Sequence, residues 1–300
     1  MVERIILRKV KNSEELILDM VSTPDYILKN VDWGTVKGTH HSYKYVNQIG
    51  ESITNTSLET RPITIEGYVV AKDESHMTAL KKKLNAYVNP QEEIDLFYSE
   101  YKIRFKPDTS VKYSISYAEN NELFAKFQIT GICPNPLFSN VNENIKVFVD
   151  SRPSFMFPLI MSKSSPDKGI VFAKRAKNLI INITNEGSVP IGMKIIFRAQ
   201  AEVVNPRLIN MATQESFNIN KTLTSTEEII VNTNVGEKRV QGKIGNAEFS
   251  NYYMYKDIDS SWLQLDVGDN LFTYEADRGV DNLDIFVYFT NLFLEVQECY

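Results

Sequence analysis

Arg61-Pro62-Ile63-Thr64-Ile65-Glu66-Gly67-Tyr68-Val69-Val70-Ala71 runs directly into Asp73 and a series of apolar residues at Met77, Leu80, Leu84, Tyr87 and Val88. The stretch closes at Cys133-Pro134-Asn135-Pro136. In the first part Ile63, Ile65 and Val69 fall on one face and Thr64 and Glu66 on the other, the period of two that marks a half-buried strand. Gly67 interrupts that strand, which predicts a bulge or a close backbone approach there. Asp73 stands where an N-cap belongs, its carboxylate placed to accept from free N–H groups, and the apolar residues after it recur at helical spacing. Asn89-Pro90 ends the helix, which the pattern places over 73–89.

Working outward, Arg4–Arg8 and Glu15–Met20 read as short strands, with Pro24 marking a turn after them. The segment from Trp33 to Ser57 is different. It mixes Gly34, Gly38 and Gly50 with many Thr, Ser, Asn, His and Tyr residues, too polar to close a core and too aromatic for a plain linker. We read it as a long hairpin or arm, in which Trp33, Tyr43, Tyr45 and Ile49 are the aromatic and apolar residues that stand out. Beyond the helix, Ile94–Tyr98, Tyr101–Phe105, Ser110–Tyr117 and Leu123–Ile129 are strand-like segments of an antiparallel sheet.

The two prolines at 134 and 136 each remove a backbone donor, so a first domain is expected to span 1–138. Residues 139–168 carry Pro153, Pro158 and Pro166 and read as a linker plus an opening strand; 169–300 form a second domain. Strand signals there are dense, including Trp262–Val267 and Ile285–Val296, and turn signals recur at the spacing of a β-sandwich. Neither half repeats the other.

Composition narrows the function classes. A chain of 300 residues, 43% hydrophobic and 24% charged, is an ordinary globular sequence, long enough for two domains. Its formal net charge of −5 argues against a broad nucleic-acid footprint, which needs surplus Lys and Arg. The N-terminus lacks the apolar run and cleavage site of a signal peptide, and the apolar stretch after Asp284 is shorter than the ~18–20 residues of a membrane span. No membrane insertion is expected. Cys133 and Cys299 are the only cysteines, too few for a disulfide scaffold or a Cys-based zinc site, and synthesis in a reducing cytoplasm follows as the simplest reading.

The phrases noted above carry a resemblance. Thr60–Gly67 before the helix, Leu84-Asn85-Ala86-Tyr87-Val88-Asn89-Pro90 at its exit, and Phe127–Gly131 running into Asn135-Pro136-Leu137-Phe138 resemble the siphophage distal tail protein (Dit) family in wording and order. Trp262-Leu263-Gln264-Leu265 followed by Gly268-Asp269-Asn270 is similar to a phrase of phage tail-tip C-terminal domains. The resemblance implies a mainly β, two-domain protein. Its first half would be a β-sandwich-like ring domain with one short α-helix and an extended arm, whose Trp33, Tyr43, Tyr45 and Ile49 become candidate contacts to a neighbouring subunit, and its second a galectin-like antiparallel β-sandwich. It implies a non-enzymatic virion component, a ring of itself, usually six subunits, joining the tail tube protein to the tail-tip hub or lysin protein. The tape measure and receptor-binding proteins would lie close by.

Other chemistry was weighed residue by residue. His40-His41 supplies two imidazoles, but adjacent strand residues point to opposite faces, so a solvated pair is the plainer reading and no metal is expected. His76 belongs to the first helical turn. Lys81-Lys82-Lys83 reads as a solvated helix face, and Asp257, Asp259, Asp266 and Asp269 as turn residues instead of a calcium loop. Trp262, on a strand with Leu263, Leu265 and Val267 facing inward, presents its ring outward. With Tyr252, Tyr253 and Tyr255 it is a candidate patch for a partner or for host wall polysaccharide, the alternative reading being a cell-wall carbohydrate-binding module. No phosphate loop, Gly-x-Ser-x-Gly elbow or His-Glu-x-x-His pattern occurs, and no cofactor is expected.

Overall fold

The computed structural model describes residues 4–20, 25–116, 118–153, 173–177 and 180–296. The turn at Pro24, the prolines at 158 and 166, and Cys299 lie outside them. The chain divides into two compact units, 1–142 with 292–300, and 143–291.

The first unit contains strands β1 (Arg4–Lys9), β2 (Glu15–Asp19), β3 (Tyr26–Asp32), β4 (Gly38–Tyr43), β5 (Ser52–Leu58), β6 (Arg61–Val70), β7 (Ile94–Tyr98), β8 (Tyr101–Pro107), β9 (Lys112–Tyr113), β10 (Phe124–Cys133) and β11 (Phe138–Asn140). One helix, α1 (Glu74–Tyr87), lies between β6 and β7. Strand order β8-β7-β1-β2-β3-β6-β10, with β10 bonded back to β8, closes the sheet on itself. Among these strand pairs only β2 and β3 run parallel. The first unit is thus a closed, barrel-like ring of strands. Closure removes the open edges that a sandwich of this size would leave.

The seam depends on Gly131. Gly131 pairs with Pro107 across it, and a Cβ at this position would lie 2.6 Å from the Lys106 carbonyl oxygen. Gly67 makes a second close approach, where a Cβ would meet the Phe127 ring at 2.5 Å and the Ile27 carbonyl oxygen at 2.6 Å. The register shift opposite Gly67 is on β3, between Leu28 and Asn30. Gly67→Ala is expected to destabilise by about 1–3 kcal/mol, because both Phe127 and the β3 backbone must move aside. A thermal melt indistinguishable from the parent's would show that the strand shifts freely.

α1 begins as its sequence dictates. The Asp73 side chain accepts from the His76 backbone N–H at 2.7 Å, and Met77, Leu80, Leu84 and Tyr87 are buried in one stripe. These join Ile5, Leu7, Ile65, Leu96, Phe105 and Phe127 in one core. Each such side chain contributes roughly 1.5–3 kcal/mol when fully buried. The Tyr87 hydroxyl shares its one proton between the Leu7 and Glu14 carbonyls, and that of Tyr26 donates to the Leu80 carbonyl, so the helix is tied to the barrel at its middle and at its C-terminal end.

The second unit holds a six-stranded antiparallel sheet in the order Asn144–Val147, Leu283–Phe289, Lys194–Ala199, Glu227–Asn232, Arg239–Ile244, Ser250–Asn251. A four-stranded sheet follows the order Ile180–Asn185, Gly268–Glu275, Arg207–Asn210, Ser216–Asn218. Ile195, Phe197, Ile229, Val231, Ile285 and Val287 from the first are buried, as are Ile183, Leu208, Phe217, Phe272 and Tyr274 from the second. This is the alternation of an antiparallel sandwich.

Three expectations need correction. Of the expected strand Ser110–Tyr117, the described residues 110–116 form only the two-residue β9. Trp262–Val267 is not a strand: only Leu265 makes a bridge, to Ile191, and Val267 is exposed where an inward face was expected. Ile285–Val296 is not one strand either. It breaks after Phe289, and Leu292–Phe293 pairs with β11, so this end of the chain belongs to the first unit, not to a second domain running to residue 300.

Candidate functional site

β4 and β5 bond only to each other, as a two-stranded ribbon in which nearly every residue is exposed. Polar side chains hold it together. His40 Nδ1 lies 2.9 Å from Thr56 Oγ1, Thr54 donates to the His41 carbonyl at 2.8 Å, and Thr39 and Ser42 donate to Glu59 and Glu51. At the tip the Gln48 side chain accepts from the Tyr45 N–H and donates to Ser52. Such a hairpin has no core of its own and is marginal in water. Its tip nevertheless carries Tyr45, Val46 and Ile49, with Val46 and Ile49 at 93% and 102% exposure, and Ile53 follows on β5. Tyr43 and Tyr45 meet edge to face, their ring centroids 4.9 Å apart.

The structure gathers Tyr43, Tyr45 and Ile49 on this arm but leaves Trp33 out. Trp33 precedes the arm and packs between Tyr98 and Phe138, each 5.5 Å away. The arm therefore starts at Gly38, not Trp33. Its root is gripped by Arg61, which has no exposed surface. Arg61 Nε donates to the Pro136 carbonyl at 2.8 Å, one terminal nitrogen to the Trp33 and Gly34 carbonyls at 3.2 and 3.3 Å, and the other to Leu294. The guanidinium lies 4.7 Å from the centre of the Phe138 ring. Burial pulls its pKa below the usual guanidinium value, partly offset by Glu295. Burial likewise pushes the neighbouring Cys133 thiol up to about 12, which makes it an inert core residue.

The aromatic patch of the second unit separates into two pairs. Tyr252 and Tyr255 meet edge to face at 5.2 Å, and the Tyr252 ring lies where a side chain on Gly242 would be. Burial, with the Glu227 carboxylate beside it, holds the Tyr252 phenol above its ordinary pKa. Tyr253 and Trp262 form the other pair, 6.3 Å apart, with Phe217 on the far side of Trp262 at 5.4 Å. Lys238 and Lys256 place their ammonium groups 5.7 and 5.9 Å from the Trp262 ring centre, so this ring is flanked by cations. Composition gave no sign of that pairing, because the two lysines lie 24 and 6 residues from Trp262 and neither sits in a motif.

The remaining candidates take structural places. His40 and His41 stand on the exposed arm, and no group of three His, Cys, Asp or Glu able to hold a metal forms among the described residues. Lys81 donates to Asn120 at 2.7 Å, while Lys82 and Lys83 are exposed. Asp257 accepts from the Asp259 N–H, which holds its carboxyl below the usual range, and Asp269 accepts from Thr184. No described helix is long and apolar enough to cross a membrane.

Residues 26–133 match the family model for the phage tail protein RIFT-related domain, and residues 186–293 match that for the siphovirus-type tail component C-terminal domain. Barrel and sandwich thus define the class: a component of a siphophage tail. With the two matches taking in well over half of the sequence, the chain belongs to the siphophage distal tail (Dit) family. The crystal structure of the Dit protein of phage SPP1, described as a paradigm of the hub adsorption apparatus in phages infecting Gram-positive bacteria, superposes with a TM-score of 0.66 at 11% identity. That match covers 96% of this chain and 99% of that one, and at such identity it shows the fold alone. Two structures of the phage p2 baseplate in its activated conformation, with Ca and with Sr, match with TM-scores of 0.45 and 0.43 at 10% identity. They cover 97% and 96% of this chain and 98% of theirs, and are too distant to argue from. No curated protein matches the chain by sequence.

Proposed function

We propose that this tail-tip component assembles as a homo-oligomeric ring of six subunits that joins the tail tube protein to the hub or lysin protein, with the tape measure and receptor-binding proteins as neighbours. Its site of synthesis is the bacterial cytoplasm and its destination the virion tail tip. The observation that carries the ring is the β4–β5 arm: a self-bonded hairpin with an apolar tip and no further partner strand among the described residues. Exposed apolar side chains on so slight an element need cover from elsewhere. In a head-to-tail arrangement the arm of each subunit covers the next, and a rotation that closes gives a ring.

Light scattering on the eluting peak, with negative-stain imaging, tests this directly. The parent chain should elute near the mass of a hexamer, and Ile49→Asp should weaken assembly by about tenfold or more, since a charge would be buried at the contact. Because Ile49 makes no intrachain packing, the melting temperature should not move. A chain that stays monomeric at high concentration, alone and with the tail tube protein, would overturn the ring.

A further inference from the structure

We propose that a cleft on the second unit, between Arg239 and Tyr253, binds an acidic saccharide. Strand Arg239–Ile244 pairs with Ser250–Asn251, placing Gln241 opposite Asn251, and the chain then turns through a short 3-10 segment at Tyr253–Tyr255. The cleft so formed has a volume of about 320 Å³ and is lined by Lys238, Arg239, Val240, Gln241, Asn251 and Tyr253. That is the lower end of the size range for small-ligand sites.

No carboxylate lines it. On a chain of net charge −5, Arg8, Arg104, Arg198 and Arg207 each grip an acidic partner, whereas the exposed side chain of Arg239 makes no ion pair or hydrogen bond among the described residues. The Lys238 ammonium lies over the Trp262 ring, a contact that leaves its N–H donors off any carboxylate among the described residues. Asn251 spends its side-chain oxygen on the Tyr253 N–H at 2.9 Å, which leaves its amide NH₂ to donate outward. The site therefore presents a guanidinium, an ammonium and an amide donor beside the half-exposed ring of Tyr253, itself backed by Trp262. Donors without acceptors select an anion, a planar guanidinium suits a carboxylate or phosphate, and an aromatic face beside them suits the C–H face of a sugar ring. An acidic saccharide satisfies all three; a neutral glycan leaves the cations unmatched.

The test uses the full chain and calorimetric titration with three probes: a mannuronate oligosaccharide, a glycerol-phosphate-linked wall fragment and a neutral dextran of equal length. One or both anionic probes should bind at millimolar concentration or better, about tenfold or more tighter than dextran, and the stronger of the two identifies carboxylate or phosphate as the preferred group. Arg239→Ala and Tyr253→Ala, both exposed, should each weaken that binding by about tenfold with unchanged circular dichroism, whereas Lys243→Ala should not. Equal affinity for dextran, silence with both anionic probes, inorganic phosphate alone binding as tightly as the saccharide, or full retention of binding in Arg239→Ala would each overturn the proposal.

Discussion

Replacing Arg61 with Met is expected to lower the unfolding free energy by about 3 kcal/mol or more. The guanidinium is wholly buried and donates to four carbonyls, those of Trp33, Gly34, Pro136 and Leu294. A methionine fills much the same volume but leaves those acceptors without donors, and each buried unsatisfied group costs about 1–3 kcal/mol. Arg61→Lys should recover less than half, because one ammonium cannot span acceptors that the fork reaches in three directions. Urea unfolding measures the loss, and hydrogen exchange locates it: amides near 134–140 and 290–296 should lose protection before those of β6 and β10. A loss below about 1 kcal/mol would mean that water replaces the guanidinium at these carbonyls. The root of the arm depends on the same side chain, so the proposed ring assembly should fall along with stability.

Lys221→Met is expected to cost about 3–5 kcal/mol in the second unit. Lys221 Nζ lies 2.7 Å from Oε1 of Glu227, whose side chain has no exposed surface, and Oε2 of Glu227 accepts from the Thr224 N–H and hydroxyl. Removing the ammonium strands a buried carboxylate. The double variant Lys221→Met, Glu227→Gln should regain most of the loss, since the amide oxygen still accepts from Thr224 and no charge remains unpaired. Additive losses in this cycle would show that the two groups are not coupled. Lys221 also stands 5.6 and 5.4 Å from the Tyr252 and Tyr255 ring centres, so the single variant should loosen those rings and raise their fluorescence quenching by solvent.

These two side chains were not legible as key residues in the sequence, and the reason is physical. Arg61 looks like a polar residue opening a strand, and its acceptors lie 28, 27, 75 and 233 residues away. Lys221 and Glu227 sit in an unremarkable polar stretch, and only the packing around them removes water. By contrast β6 and α1 were readable in detail, because period two, the Asp73 cap and the spacing from Met77 to Tyr87 are local properties. Trp262 misled for a related cause. Alternation over Leu263 and Leu265 is real, both being buried, but that alternation does not require a ladder, and Val267 turns out to solvent. On the arm, polar composition reveals the hairpin but not its start, because an aromatic residue such as Trp33 in a polar stretch carries no sign of what it packs against.

Sequence alone determined the mainly β class, the single capped helix, the division into two halves and the family, since each rests on short-range pattern and on the order of phrases. Only the tertiary structure decided that the first sheet closes at Gly131 into a barrel, that Leu292–Phe293 returns to it, and that Arg61 joins the three segments meeting there. Closure and return are set by contacts between residues far apart in the chain. Their free energy depends on which surfaces exclude water together, and no local window of residues carries that information.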